Sequence, residues 1–177
     1  AMENLFTGLL DISKLDAGMV KPAVEDFPVS NVLNAVQVNF TPQAEEKGLK
    51  LHVVASSLNV RSDAVILERM IANLVANAVR YTQIGKILVG CRRRGKTTAI
   101  VVCDTGIGIP AERNEEIFQE FVQLSNPERD RTKGLGLGLS IVKRSADLLG
   151  HPITLRSKPG RGSCFAITVP IGAKTLT

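Results

Sequence analysis

An α/β domain is the fold class this sequence predicts, and three observations predict it. Apolar residues recur at helical spacing in several separate segments, as in "ERMIANLVANAVRYT". Between these lie short β-rich runs such as "GKILVGCRR", "TTAIVVCDT" and "CFAITVP". A chain of 177 residues with 44% hydrophobic content also suffices for one well-buried core of roughly 100 to 150 residues plus an appendage.

In chain order, "MENLFTGLLDISKLDAG" carries Leu5, Leu9, Ile12 and Leu15 at helical spacing and stops at Gly18, an isolated helix ahead of the linker "MVKPAVEDFP". Ser30 is suited to cap a helix running to about Lys47, with Gly48 ending it and Pro42 distorting its later turns. The run "LKLHVVA" reads as a strand. Asp63 then opens a long amphipathic helix to about Thr82, with Ile66, Met70, Leu74 and Val75 facing inward. Two β-rich runs joined at Gly95 form a hairpin. Residues 106 to 138 are rich in loop signals, contain a short helix "AERNEEIFQEF", and are too long for a simple connection, which makes them a candidate lid. A helix to about Leu149 and the strands "ITLRSK" and "CFAITVP" complete the order. The sequence holds no internal repeats.

Charge and cysteine usage narrow the class. The net charge of +5 comes from 22 basic and 17 acidic side chains, partly concentrated in "CRRRGK". A solvated hairpin tip accounts for that cluster better than a nucleic-acid site, so no nucleic-acid partner is expected. No apolar run approaches the ~18 residues that span a bilayer, and the first residues lack the order of a signal peptide. Cys91, Cys103 and Cys164 sit in apolar runs without the paired spacing of a zinc site or a disulfide framework. They are expected to be reduced core residues of a soluble, cytoplasmic protein.

Three stretches carry chemistry. In "DRTKGLGLGLSIVKR", Gly134, Gly136 and Gly138 let the backbone approach a ligand closely, and the helix beginning near Gly138 adds a dipole end that favours phosphate. Glycine-rich turns are also ordinary flexible connections, and this one is neither a P-loop nor a dinucleotide fingerprint. Asn73 and Asn77, four apart, project from one helix face beside Arg80 and Tyr81. Carboxamide oxygens suit partly hydrated Mg²⁺ and Arg80 suits phosphate, although exposed or capping asparagines give the same pattern. In "VVCDTGIGIP" a strand delivers Asp104 to its end, where a carboxylate can accept from an exocyclic amine while Gly106 and Gly108 leave room for a flat base. Alone, this segment also fits a simple turn.

Taken together and in this order, these segments resemble the ATP-binding domain shared by sensor histidine kinases, gyrase, mismatch-repair ATPases and large heat-shock chaperones. "NLVANAVRYT" resembles the histidine-kinase N box, "DTGIGIP" the first glycine box, "IFQEFVQ" the phenylalanine box and "GLGLGLSIV" the second glycine box. The resemblance covers about residues 28 to 171. It implies a two-layer α/β sandwich, with helices on one face of a mixed sheet and a flexible ATP lid. It implies ATP and Mg²⁺, with Asn77 as principal metal ligand, Asn73 assisting, and Arg80 and Tyr81 near the phosphates or ribose. Asp104 would read the adenine amino group, with Ser163 holding an accompanying water and Gly106, Gly108 and Ile109 around the base. Lys133, Gly134, Leu135, Gly136, Leu137 and Gly138 would cradle the phosphates, and Phe118 and Phe121 would anchor the lid.

The hydrolysing branches of that superfamily carry a glutamate four residues before the magnesium asparagine, as general base. Here the residue is Asn73, whose amide cannot take the proton, so transfer to a protein histidine is favoured over hydrolysis. "LLDISKLDAG" resembles the end of a dimerisation and phosphoacceptor hairpin. The expected organisation is therefore residues 1–18 as a remnant of that hairpin's second helix, 19–27 as linker, 28–171 as the catalytic ATP-binding domain and 172–177 as tail. His52 and His151 are the two histidines, and neither sits in a helix before an acidic residue, as the phosphoacceptor motif requires. The expected partners are a phosphoacceptor domain not contained in these residues and a response-regulator receiver domain, with this chain monomeric and the whole kinase a homodimer. A nucleotide-gated ATPase or clamp is the alternative reading, and a nucleotide-binding module that only senses or scaffolds is a third.

Overall fold

In the computed structural model, which describes residues 2–119 and 137–174, two sheets share one helical layer. The elements are α1 (Met2–Asp16), β1 (Glu25–Pro28), α2 (Val29–Glu46), β2 (Lys50–Val53), β3 (Asn59–Ser62), α3 (Ala64–Tyr81), β4 (Lys86–Arg94), β5 (Thr97–Asp104), α4 (Gly138–Leu149), β6 (Ile153–Lys158) and β7 (Gly162–Pro170). The main sheet has strand order β2-β4-β5-β7-β6. Only β2 and β4 pair in parallel, and the other three neighbours are antiparallel. A parallel pair needs a crossover, which β3 and α3 provide. The α/β expectation, with a mixed sheet and helices on one face, is therefore met.

Each strand alternates between a helix-facing and an open side, and the sequence sets which is which. Ile87 and Val89, Ile100 and Val102, and Phe165, Ile167 and Val169 point into the helical layer and are buried. They meet Leu33 of α2 and Leu67, Met70 and Leu74 of α3 in one core. Each such side chain contributes roughly 1.5 to 3 kcal/mol by leaving water. Lys86, Leu88, Arg156 and Lys158 occupy alternate positions on the open face and are exposed.

α3 matches its sequence reading closely. The Asp63 carboxylate accepts from the Ile66 amide at 2.9 Å, capping the first turn. At the other end the ammonium of Lys47 donates to the carbonyls of Val79 (2.6 Å) and Arg80 (3.2 Å), acceptors the helix itself leaves open. The β4–β5 hairpin turns at Gly95 with Arg92, Arg93, Arg94 and Lys96 exposed, as expected of a solvated tip.

Three expectations need correction. α2 starts at Val29, so Ser30 lies inside it and does not cap it; the Val29 amide is met by the Leu58 carbonyl at 3.0 Å. The expected extent of the helix across Pro42 holds, since α2 runs to Glu46. The segment "AERNEEIFQEF" is not one helix as far as it is described, but two short 3₁₀ turns, Ala111–Arg113 and Glu116–Phe118. Finally, Cys103 and Cys164 are joined in a disulfide across β5 and β7, and only Cys91 is free. Their separation of 61 residues conceals what the sheet register makes plain, that the two are direct cross-strand partners.

The linker is more structured than its composition suggests. β1 pairs with β3 in a two-stranded antiparallel ribbon, and Val60 of β3 bridges to Ile171 beyond β7. The second carboxylate oxygen of Asp63 accepts from the Ala23 amide at 2.8 Å, so one residue caps α3 and fixes the incoming chain. α1 lies against α4, where Ile12 meets Leu137 and Ile141 with Leu15 alongside. Ion pairs from Asp11 to Arg69 and from Asp16 to Arg144 flank this contact, the second at 2.7 Å. Among the described residues no helix is long and apolar enough to cross a membrane.

Candidate nucleotide site

Three elements converge at one end of the helical layer. α3 presents Asn73 and Asn77 one turn apart, both half-buried. The Asn77 side-chain oxygen accepts from the Arg80 guanidinium at 3.2 Å, which aims both groups at one region. α4 begins at Gly138 against this face. A Cβ on Gly138 would stand 3.4 Å from the Asn73 side-chain oxygen, an ordinary contact distance, which places the start of α4 directly beside Asn73. Free amides at a helix start beside a guanidinium suit phosphate oxygens.

The second half of the site is the junction of β5 and β7. Asp104 and Ser163 are cross-strand partners. The Asp104 carboxylate accepts from the Gly106 amide at 2.9 Å and from the Ser163 amide at 3.3 Å. Burial nonetheless pushes the Asp104 carboxyl up from its ordinary value of 3.8, against the pull of those two amides. Gly106 lies on the Tyr81 carbonyl, where any Cβ would collide, and the Ile107 amide donates to that carbonyl at 3.3 Å. The loop after β5 is thereby fastened to the end of α3.

Two residues that the sequence reading passed over belong here. Thr82 is fully buried, and its hydroxyl oxygen has no hydrogen-bond partner. It stands 3.0 Å from where a Gly106 Cβ would be, a spot that the Tyr81 carbonyl and the Asp104 carboxylate also crowd. Its signal was available, since it directly follows Tyr81 on the end of the helix. Ser157 accepts from the Ile109 amide at 2.7 Å and shares a 2.8 Å hydrogen bond with the Ser163 hydroxyl. Strand alternation between exposed Arg156 and Lys158 was its only trace in the sequence.

The structure thus brings Asn73, Asn77, Arg80, Tyr81, Asp104, Gly106, Ile109, Leu137, Gly138 and Ser163 to one end of the fold, with buried Gly108 on the loop between. Phe118 packs edge-on to Phe165, with centroids 6.1 Å apart and planes at 89°. Phe121, Lys133, Gly134, Leu135 and Gly136 lie outside the described residues, as does most of the candidate lid. His52 sits on the open face of β2, whereas His151 is buried with its Nε2 2.7 Å from the Ser62 hydroxyl.

Residues 62–173 match the model of the histidine kinase-, DNA gyrase B- and HSP90-like ATPases. The chain belongs to this family. Within it, the likeness is to the catalytic ATP-binding domain of sensor histidine kinases. An uncharacterized sensor-like histidine kinase of Rhizobium meliloti is 35% identical over 168 residues, covering 93% of this chain and 32% of the relative. The sensor histidine kinase RcsC of Salmonella typhimurium is 33% identical over 173 residues, covering 95% of this chain and 18% of the relative. The chain therefore spans about a third or less of these curated relatives. Among solved structures, full-length ShkA in complex with AMPPNP superposes with a TM-score of 0.82 at 26% identity, over 94% of this chain and 35% of that one. The catalytic domain of the histidine kinase ThkA gives 0.71 at 26% identity, over 83% of this chain and 95% of that one.

The residues present fit the ATP such a domain binds. The partly buried carboxylate of Asp104, paired across the strands with Ser163, suits a base bearing an amino group. Among the described residues no cluster of three or more His, Cys, Asp or Glu side chains exists. A metal here would depend on the amide oxygens of Asn73 and Asn77 and on the phosphates, a donor set that suits Mg²⁺.

Proposed function

We propose that this chain binds ATP with Mg²⁺ and passes the γ-phosphoryl group to a histidine on a phosphoacceptor domain outside these residues, from which a response-regulator receiver domain takes it. The observation that carries the reading is the meeting of α3 and α4, where Gly138 at the start of α4 lies beside Asn73 and the Asn77 side chain holds the Arg80 guanidinium. Bound Mg²⁺ would neutralise phosphate charge, held by Asn77 with help from Asn73. Arg80 would steady the phosphates, and Tyr81 would lie beside the phosphates or ribose. Asp104 would accept from the adenine amino group, Ser163 would hold a water beside it, and Gly106, Gly108 and Ile109 would shape the base pocket. Lys133 and residues 134–138 would close on the phosphates. Catalysis in this scheme is positioning and charge neutralisation, with no protein nucleophile of its own.

Asn73 supports transfer over hydrolysis, because a carboxamide cannot act as general base toward water. We further propose residues 1–18 as the remnant of a dimerisation hairpin, 19–27 as linker, 28–171 as catalytic domain and 172–177 as tail. The chain alone would be monomeric and the whole kinase a homodimer. We place the domain in the cytoplasm on the ground that its substrate is ATP, since the disulfide removes the argument from reduced cysteines. The test uses labelled ATP with this chain and a separately produced phosphoacceptor hairpin. Acid-labile label on the hairpin's histidine supports transfer. Free phosphate released by the chain alone, with no labelled hairpin, points instead to an ATPase or clamp.

A further inference from the structure

The disulfide occupies a position with consequences for the nucleotide site. Across the open face of the sheet, one row of partners runs Arg156 (β6), Cys164 (β7), Cys103 (β5) and Leu88 (β4). The neighbouring rung of the same two central strands is Asp104 opposite Ser163. That rung is itself hydrogen-bonded, from the Ser163 amide to the Asp104 carboxylate. Gly162, the next residue of β7, lies so close to the Asp104 carbonyl that a Cβ would collide with it. The bond between the sulfurs thus clamps β5 and β7 one residue from the pair proposed to read adenine.

Both cysteines are only half-buried, and both line a cavity of about 340 Å³ together with Arg156, Lys158 and Arg161. These three cations outnumber the one carboxylate of the same lining, Asp104, so the surroundings of the reachable disulfide are electropositive on balance and favour thiolate. They also attract small anionic thiols. Buried structural cysteines lack both features. In a compartment kept reduced by glutathione, a disulfide is most often one that forms and breaks in use.

We propose that Cys103 and Cys164 form a redox-responsive pair that sets nucleotide affinity, the bridged form binding ATP more tightly than the dithiol. The proposal rests on the nucleotide-site reading given above. The reductant is a low-molecular-weight thiol of the glutathione class. Its thiolate attacks one sulfur, the Cys103–Cys164 bond breaks, and the departing cysteine thiolate takes a proton. A second small thiol attacks the resulting mixed disulfide and releases the other cysteine. Two small thiols leave as their disulfide, and two electrons and two protons remain on the protein. With the clamp open, β5 and β7 stay paired but the Asp104–Ser163 rung at the end of their ladder frays more readily, and binding must then restore it, which lowers affinity.

The test is calorimetric titration of the chain with ADP across a series of reduced-to-oxidised glutathione ratios, with the bond state at each ratio read by mass spectrometry of alkylated peptides. The expected result is a Kd that rises roughly three- to tenfold as the bond is broken. The Cys91→Ser variant should keep this response. The Cys103→Ser/Cys164→Ser double variant should bind as the reduced protein does at every ratio. Equal Kd with the bond made and broken overturns the switch and leaves nucleotide binding standing, as does failure of the bond to form at any ratio. Absence of ADP binding in both states overturns the nucleotide site and the switch with it.

Discussion

Asp104 is a carboxylate held partly out of water, with its pKa raised by that burial. The ionised form is the one that accepts fully from an amino group, so lowering the pH should weaken ATP binding as it passes through this raised value, above 3.8. Asp104→Asn keeps an acceptor without a titration, and its affinity should fall less than the parent's over the same range, the remaining dependence being that of ATP itself. Titration calorimetry between about pH 4 and 7 reads both. Asp104→Ala should cost roughly 1 to 3 kcal/mol of binding. GTP, which presents a carbonyl where ATP presents an amine, should compete poorly. Asn77 is tested differently, since its proposed partner is the metal. Asn77→Ala should lose about ten- to a hundredfold in affinity for ATP with Mg²⁺, the range expected for an interaction with a charged group. Chelating Mg²⁺ should erase the difference between variant and parent, and equal affinities before chelation would remove Asn77 from its role.

At the level of elements, Asp63 shows how one side chain sets two pieces of architecture. It caps α3 and holds the Ala23 amide, so Asp63→Ala should lower stability by about 1 to 2 kcal/mol, read by denaturant unfolding. Asp63→Asn, which retains an acceptor for Ile66, should lose less. The helix cap was legible because an acidic residue stood directly before an amphipathic run. The bond to Ala23 was not, because nothing local announces a partner 40 residues away. For the same reason "EDFP" and "NVRS" went unread as β1 and β3: each is four residues long, carries charge, and becomes a strand only through the other. The nucleotide site was more legible than the disulfide because its residues are grouped in local boxes. Asn73 and Asn77 announce a shared face by spacing, whereas Cys103 and Cys164 become neighbours only through the strand order.

Taken whole, the molecule holds two histidines that give different tests. Burial lowers the His151 imidazole below its ordinary 6.5, and its Nε2 lies against the Ser62 hydroxyl. The folded state therefore prefers the neutral ring, and the unfolded chain binds the proton first as pH falls. This contribution to stability is complete above about pH 6.5 and declines below it, down to the depressed folded value. Thermal unfolding of parent and His151→Gln between about pH 5 and 7.5 should show a slope in the parent that the variant flattens. Neither histidine is placed to receive phosphate. His151 follows the far end of α4, twelve residues long, which puts it roughly 18 Å from the start of that helix. His52 lies on the open face of the sheet, away from α3. Labelled ATP with this chain alone should leave no phosphohistidine, and stoichiometric label on either residue would contradict the assignment of the acceptor to another domain.

The strand order β2-β4-β5-β7-β6 also has a history in time. β5 is complete at Asp104, yet its partner β7 enters the chain 61 residues later, measured between the bonded cysteines. At roughly 5 to 20 residues per second of synthesis, that interval is about 3 to 12 s. Until β7 exists, the edge of "TTAIVVCD" that it covers in the finished sheet has no partner strand to receive it. An apolar edge of this kind is a template for pairing with other chains. A strand order that separates partners so far along the chain thus leaves the strand ending at Asp104 waiting for seconds for one of its two neighbours.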